Sequence, residues 1–255
     1  MPTAAYQGGI TPYADFVGMV DDVMGQVIKA LKAKGIYDNT LVVFASDNGF
    51  APAADLPAQL AQGHDPSMRF RGTKADIFEG GHRVPFLVSW PRTIQQGRTS
   101  SRLVCTTDLF RTLAELHGTA LPDNTAEDSY SFLTELTGRP SELPPREAVV
   151  HHSIDGSFAI RRGNWKLIRC SGSGGWSAPR PASEEAKKLP PLQLYDLAAD
   201  PGETRNVYES HPAVVKELTE LLTQYVQNGR STPGTRQAND GPAHWPQLNW
   251  IVEAK

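Results

Sequence analysis

The sequence predicts an α/β protein, with a helix-and-strand part to about residue 145 and a small antiparallel α+β part after it. Three observations carry this. An apolar stripe at helical spacing over 13–34 leads into a buried-type strand at 40–46, the α-then-β step of an α/β layer. That strand ends in Asp47-Asn48-Gly49, where a parallel strand of an open α/β sheet delivers functional groups. Near residue 140 the pattern changes, with Pro140, Pro144 and Pro145 opening a linker into short alternating strands.

The first helix rests on Phe16, Val17, Val20, Val23, Met24, Val27, Ile28 and Leu31, and stops at Lys34-Gly35. Asp21 and Asp22 read as its solvated face. Residues 50–68, rich in Ala, Pro and Gln without a period, read as a long loop over the sheet edge. Val84 to Trp90 is a second buried-type strand closed by Pro91, and 105–118 is a helix closed by Gly118. Phe158 to Ile168 forms a hairpin turning at Gly163-Asn164. Residues 171–183, dominated by Gly, Ser and Pro, read as a flexible surface loop; Leu192 to Leu197 is a strand and 211–228 an amphipathic helix. The tail beyond Gly229 has no period and reads as surface wrapping. The expected segments are 1–145, 146–230 and 231–255.

Composition excludes some classes. Hydrophobic residues at 39% and charged residues at 21% describe a globular chain. A net charge of −3 argues against nucleic acid or a membrane surface as partner. No apolar run approaches the roughly 20 residues that span a bilayer. The first nine residues, Met-Pro-Thr-Ala-Ala-Tyr-Gln-Gly-Gly, do not read as a signal peptide, which leaves the compartment open. Cys105 and Cys170 are too few for a disulfide framework or a thiolate metal cage.

The chemistry lies in a few positions. Asp47 and Asn48 offer hard oxygens suited to Ca²⁺ or Mg²⁺, although Asp-Asn-Gly is equally a strong turn. Lys74, in Arg71-Gly72-Thr73-Lys74, brings a compact charge suited to a sulfate or phosphate oxygen, and flanking glycines let backbone approach a ligand. Together they suit a tetrahedral dianion. His64, in the long loop, is balanced between substrate contact and bystander. Arg83 braces its loop by pairing with an acid such as Glu79. His151 and His152, adjacent on a strand, point to opposite faces, so at most one faces a cleft.

In order along the chain, Ser46-Asp47-Asn48-Gly49, Arg71-Gly72-Thr73-Lys74, Glu79-Gly80-Gly81-His82-Arg83-Val84-Pro85 and Leu194-Tyr195-Asp196-Leu197 with Asp200-Pro201-Gly202-Glu203 and Asn206 resemble the type I, arylsulfatase-like sulfatases. The resemblance covers about residues 10 to 228. It implies the alkaline-phosphatase-like α/β fold, here a partial sheet, with a smaller C-terminal antiparallel subdomain. By it, Asp47 and Asn48 are two ligands of a calcium (or magnesium) ion, Lys74 grips the sulfate, and His64 approaches the substrate. The implied ligands are sulfated small molecules or sulfated carbohydrates, and relatives of this family are often exported.

The family's nucleophile is a formylglycine made from the first residue of Cys/Ser-x-Pro-x-Arg, a pattern this chain lacks. Ser89-Trp90-Pro91-Arg92 and Ser177-Ala178-Pro179-Arg180 place the arginine one position too early. The upstream aspartate pair and the upstream histidine and lysine of the family are also without counterparts. The expectation is therefore a C-terminal half of a sulfatase, a truncated reading frame or a half that pairs with a separately encoded N-terminal half, inactive alone. The alternatives are a non-catalytic module for sulfated ligands, and a phosphatase or phosphonate hydrolase of the same superfamily.

Overall fold

A computed structural model describes residues 8–141, 143–241 and 245–251. Most of the N-terminal stretch read above for a signal peptide, and part of the tail, lie outside the described residues. The chain falls into two compact units, the first made of Met1–Lys74 and Phe78–Arg98, the second of Ala75–Ile77 and Thr99–Lys255. The finer segmentation at 145 and 230 stands as a proposal. No described helix is long and apolar enough to cross a membrane.

The first unit opens with helix α1, Pro12–Ala33. Thr11 caps it, its Oγ1 accepting from Ala14 N at 3.3 Å, and Pro12 supplies a preset φ in the first turn. Its apolar stripe is where the spacing put it, yet none of its residues is buried. Strand β1, Val42–Ala45, follows a single 3₁₀ turn at Tyr37–Asn39. Next come α2, Leu56–Ala61, the one-turn α3, Glu79–His82, and strand β2, Phe86–Ser89.

Two expectations change here. β1 pairs with β2 antiparallel, Val42 opposite Ser89 and Ala45 opposite Phe86, so among the described residues β1 has no parallel neighbour. A continuous apolar run reports a strand fit for burial and says nothing of its direction. The segment 50–68 is not a bare loop. Asp55 accepts from Ala58 N at 3.1 Å and Pro57 sits in the first turn, enough to start α2 without an apolar period.

The second unit holds α4, Asp108–Leu116, and α5, Leu133–Thr137, then strands β3, Val149–His152, β4, Phe158–Arg162, and β5, Trp165–Ile168. Helix α6, Glu184–Lys187, strand β6, Gln193–Asp196, and helix α7, Pro212–Asn228, complete it. The strands form one antiparallel sheet in the order β3-β4-β5-β6, with the expected two-residue turn between Arg162 and Trp165. Leu218 and Leu222 of α7 pack on Ile160, Leu167 and Leu194, all at 2% exposure or less. Each such fully buried side chain contributes about 1.5–3 kcal/mol.

Residues 171–183 are a correction. Gly172, Ser173, Gly174 and Gly175 are buried, not a free surface loop. The buried Asp76 accepts from the backbone N–H groups of Trp176 and Ser177 at 2.8 and 3.0 Å and from the Ser177 hydroxyl. A Cβ on Gly175 would collide with the Ala75 carbonyl, so the glycines are there for close approach rather than for flexibility. The tail is likewise anchored: Trp250 lies edge-on to Phe158, and Gln247 donates to the Asp155 carbonyl at 2.6 Å.

Candidate functional site

The three glycine-bearing motifs of the first unit meet. Gly49 N donates to Gly81 O at 3.0 Å, and Gly80 N to Arg71 O at 2.7 Å. A Cβ on Gly49 would strike the carbonyl oxygen of Gly80, and one on Gly80 would strike that of Gly72. The ends of β1, of the Arg71–Lys74 turn and of α3 are thus packed backbone against backbone. Lys74 N donates to Phe50 O at 2.8 Å, which ties the lysine to the segment just after Asp47-Asn48.

At the strand end, Asp47 Oδ1 accepts from Asn48 N at 3.0 Å, and Asn48 Nδ2 donates to Gly49 O at 3.0 Å. Both side chains are therefore oriented, and Oδ2 of Asp47 and Oδ1 of Asn48 take no hydrogen bond among the described residues. Two oriented hard oxygens fit a divalent cation such as Ca²⁺ in kind. In number they fall short of the six to eight oxygens, roughly, that calcium takes. No group of three or more His, Cys, Asp or Glu side chains is placed to hold a metal among the described residues.

His64 is exposed, in the turn after α2, with its backbone N–H on Gln59 O at 3.0 Å. Its side chain makes no hydrogen bond or ion pair with Asp47, Asn48 or Lys74 among the described residues. Arg83 braces α3 as expected, its Nη1 lying 3.3 Å from Glu79 Oε2. In the second unit His151 Nε2 lies 3.2 Å from Ile77 O, while His152 stacks edge-on to Phe158 at 4.2 Å, where burial lowers its pKa. The two cysteines are free, and burial pushes the Cys170 thiol up to about 11, leaving it protonated at neutral pH.

Some roles had no signal in the sequence. Lys166 in β5 and Glu203 are both fully buried and paired at 2.9 Å. Asp200 accepts from Thr204 N and Arg205 N at 2.8 Å, and Asn206 holds both Leu194 N and Leu192 O at 2.9 Å. The second half of the motif series therefore braces the small sheet. The buried pair of Arg146 with Asp108, at the start of α4, was also hidden among ordinary surface-type residues.

This mixed α/β architecture is that of the alkaline-phosphatase-like class. A family model described as Sulfatase matches residues 3–119. N-acetylgalactosamine-6-O-sulfatase of Bacteroides thetaiotaomicron is 35% identical over 231 residues, 87% of this chain and 43% of that protein. Human arylsulfatase A is 31% identical over 231 residues, 86% of this chain and 43% of that protein. A solved Bacteroides thetaiotaomicron structure, from work on the metabolism of multiple glycosaminoglycans, superposes with TM-score 0.73 at 33% identity, covering 87% of this chain and 46% of that one. The chain belongs to the sulfatase family. It spans under half the length of the curated relatives it matches.

Proposed function

We propose that this chain carries the sulfate grip and part of the cation site of a sulfate-ester hydrolase acting on sulfated carbohydrate, and does not turn over sulfate esters alone. The observation that supports this most is the backbone packing of Gly49, Gly72 and Gly80-Gly81, together with the Lys74 N–H bond to Phe50 O, which ties the lysine's backbone to the segment after Asp47 and Asn48. Lys74 neutralises and orients a sulfate oxygen; Asp47 and Asn48 supply two hard oxygens to a calcium or magnesium ion. When bound, that cation offers charge stabilisation to the other sulfate oxygens. His64, exposed on its turn, is assigned to contact the sugar end of the substrate. The chain has no Cys/Ser-x-Pro-x-Arg, so attack on sulfur needs a nucleophile from polypeptide outside these 255 residues. No Asp-x-x-x-His or His-x-x-His spacing lies near Asp47, which favours this reading over a two-zinc phosphatase or phosphonate hydrolase.

The exposed stripe of α1 supports completion of the fold by further polypeptide, in the same chain or from a separately encoded half. The test has two arms. The purified chain is expected to leave a chromogenic aryl sulfate intact; turnover that disappears in Lys74→Ala would overturn the inactivity. Co-expression with a sulfatase segment carrying the nucleophile motif is expected to yield Lys74-dependent turnover. A soluble assembly that binds sulfated sugar without hydrolysis would instead support the second reading, a non-catalytic module for sulfated ligands.

A further inference from the structure

The loop that carries Lys74 holds more positive charge than one sulfate needs. Residues 69–74, Arg-Phe-Arg-Gly-Thr-Lys, contain three cations and no acid, in a chain whose net charge is −3. Phe70 gathers two guanidinium groups: Arg83 Cζ lies 4.6 Å from its ring centroid and Arg69 Cζ 5.6 Å. Such stacking orients a guanidinium without consuming its N–H donors. Arg69 is exposed and makes no ion pair or hydrogen bond among the described residues. Among the described residues Arg83 spends only Nη1, on Glu79, and its side chain is 47% exposed.

The platform is held still. Phe70 N donates to Ser67 O at 3.0 Å, the Ser67 hydroxyl to Gly72 O at 3.0 Å, and Gly80 N to Arg71 O at 2.7 Å. Lys74 lies five positions after Arg69, so their backbones are at most about 17 Å apart. An oligosaccharide with a sulfate on successive repeats can bridge such a span.

We propose that Arg69 and Arg83, stacked on Phe70, form a subsite for a second sulfate of a polysulfated carbohydrate whose first sulfate is held by Lys74. This rests on the assignment of Lys74 above and deepens it. The guanidinium fork makes paired charge-assisted hydrogen bonds to two oxygens of one sulfate, which an ammonium cannot do. Selectivity then follows from sulfate count as well as from the sugar at the reacting position.

The experiment is calorimetric binding of two probes to the 255-residue chain: a chondroitin tetrasaccharide carrying two 6-sulfates, and the same tetrasaccharide carrying one. The disulfated probe is expected to bind about tenfold more tightly. Arg69→Ala should remove most of that preference while changing affinity for the monosulfated probe less than about twofold. Arg69→Lys, which keeps charge but loses the planar fork, should recover only part of it. Equal binding of the two probes by the unaltered chain, binding of neither, or a preference that survives Arg69→Ala would each overturn the subsite. Lys74→Ala separates the two readings: it should weaken both probes alike. If Lys74→Ala changes neither while Arg69→Ala abolishes the preference, the Lys74 assignment fails and the arginine subsite survives.

Discussion

Lys166 in β5 has no exposed surface, whereas Val23 in α1 is 52% exposed. The two units have inverted the usual placement of charge and hydrocarbon, and for different reasons. In the second unit a four-stranded sheet and α7 enclose enough apolar surface to hide a lysine, provided Glu203 meets it. In the first unit a 22-residue helix and a two-stranded sheet leave Phe16, Val17, Val20, Val23, Val27 and Leu87 open, Leu87 at 61%. A patch of that kind marks a surface built to be covered. The second unit carries its own core; the first carries the proposed site.

The sharpest test of that contrast is Lys166→Met. It strands the Glu203 carboxylate in a dry interior and is expected to cost about 3–5 kcal/mol in urea unfolding. Replacing both partners, Lys166→Met with Glu203→Leu, should cost far less. A single substitution worth under about 1 kcal/mol would mean that the interior admits water and the contrast is false.

Next in size is a matched pair of truncations. Leu222→Ala, at 0% exposure, is expected to lose about 2–5 kcal/mol, and Val23→Ala to stay within about 0.5 kcal/mol. Equal losses would show that the face of α1 is covered in the isolated chain. Gly80→Ala, which drives a methyl into the Gly72 carbonyl, is expected to cost about 1–3 kcal/mol in the first unit and to weaken sulfate binding with it.

The smallest effect is on pH dependence. Burial holds the folded pKa of His152 below its ordinary value of 6.5, so the unfolded chain binds the proton first on acidification. Stability is therefore expected to fall as pH drops through 6.5 and to level off below the lowered folded pKa. His152→Phe should flatten that slope in thermal melts at pH 5 to 7, a range chosen around the ordinary histidine value.

Much of this was legible in the sequence, and the failures have physical causes. α1, the Gly163-Asn164 hairpin and α7 stand out because period and turn chemistry are local properties. The direction of β1 did not, because pairing direction depends on which strand comes alongside and leaves no mark on composition. The Gly-Ser-Pro stretch at 171–183 reads as a surface loop in sequence because small residues serve equally for looseness and for close approach; the position of Asp76 decides. At the site, Asp47, Asn48 and Lys74 were visible as residue types, but the packing of Gly49 on Gly80 was not. Lys166 was invisible for the same reason: its partner lies far along the chain.

The collision at Gly49 and Gly80 has a genetic consequence. Every amino-acid replacement of a glycine adds at least a Cβ, so at these two positions every missense change pushes in one direction, toward a neighbouring carbonyl. No replacement there is conservative. In a library of all single variants selected for sulfate binding, those two columns would be nearly empty, while the valine columns of α1 would fill with almost anything a helix accepts.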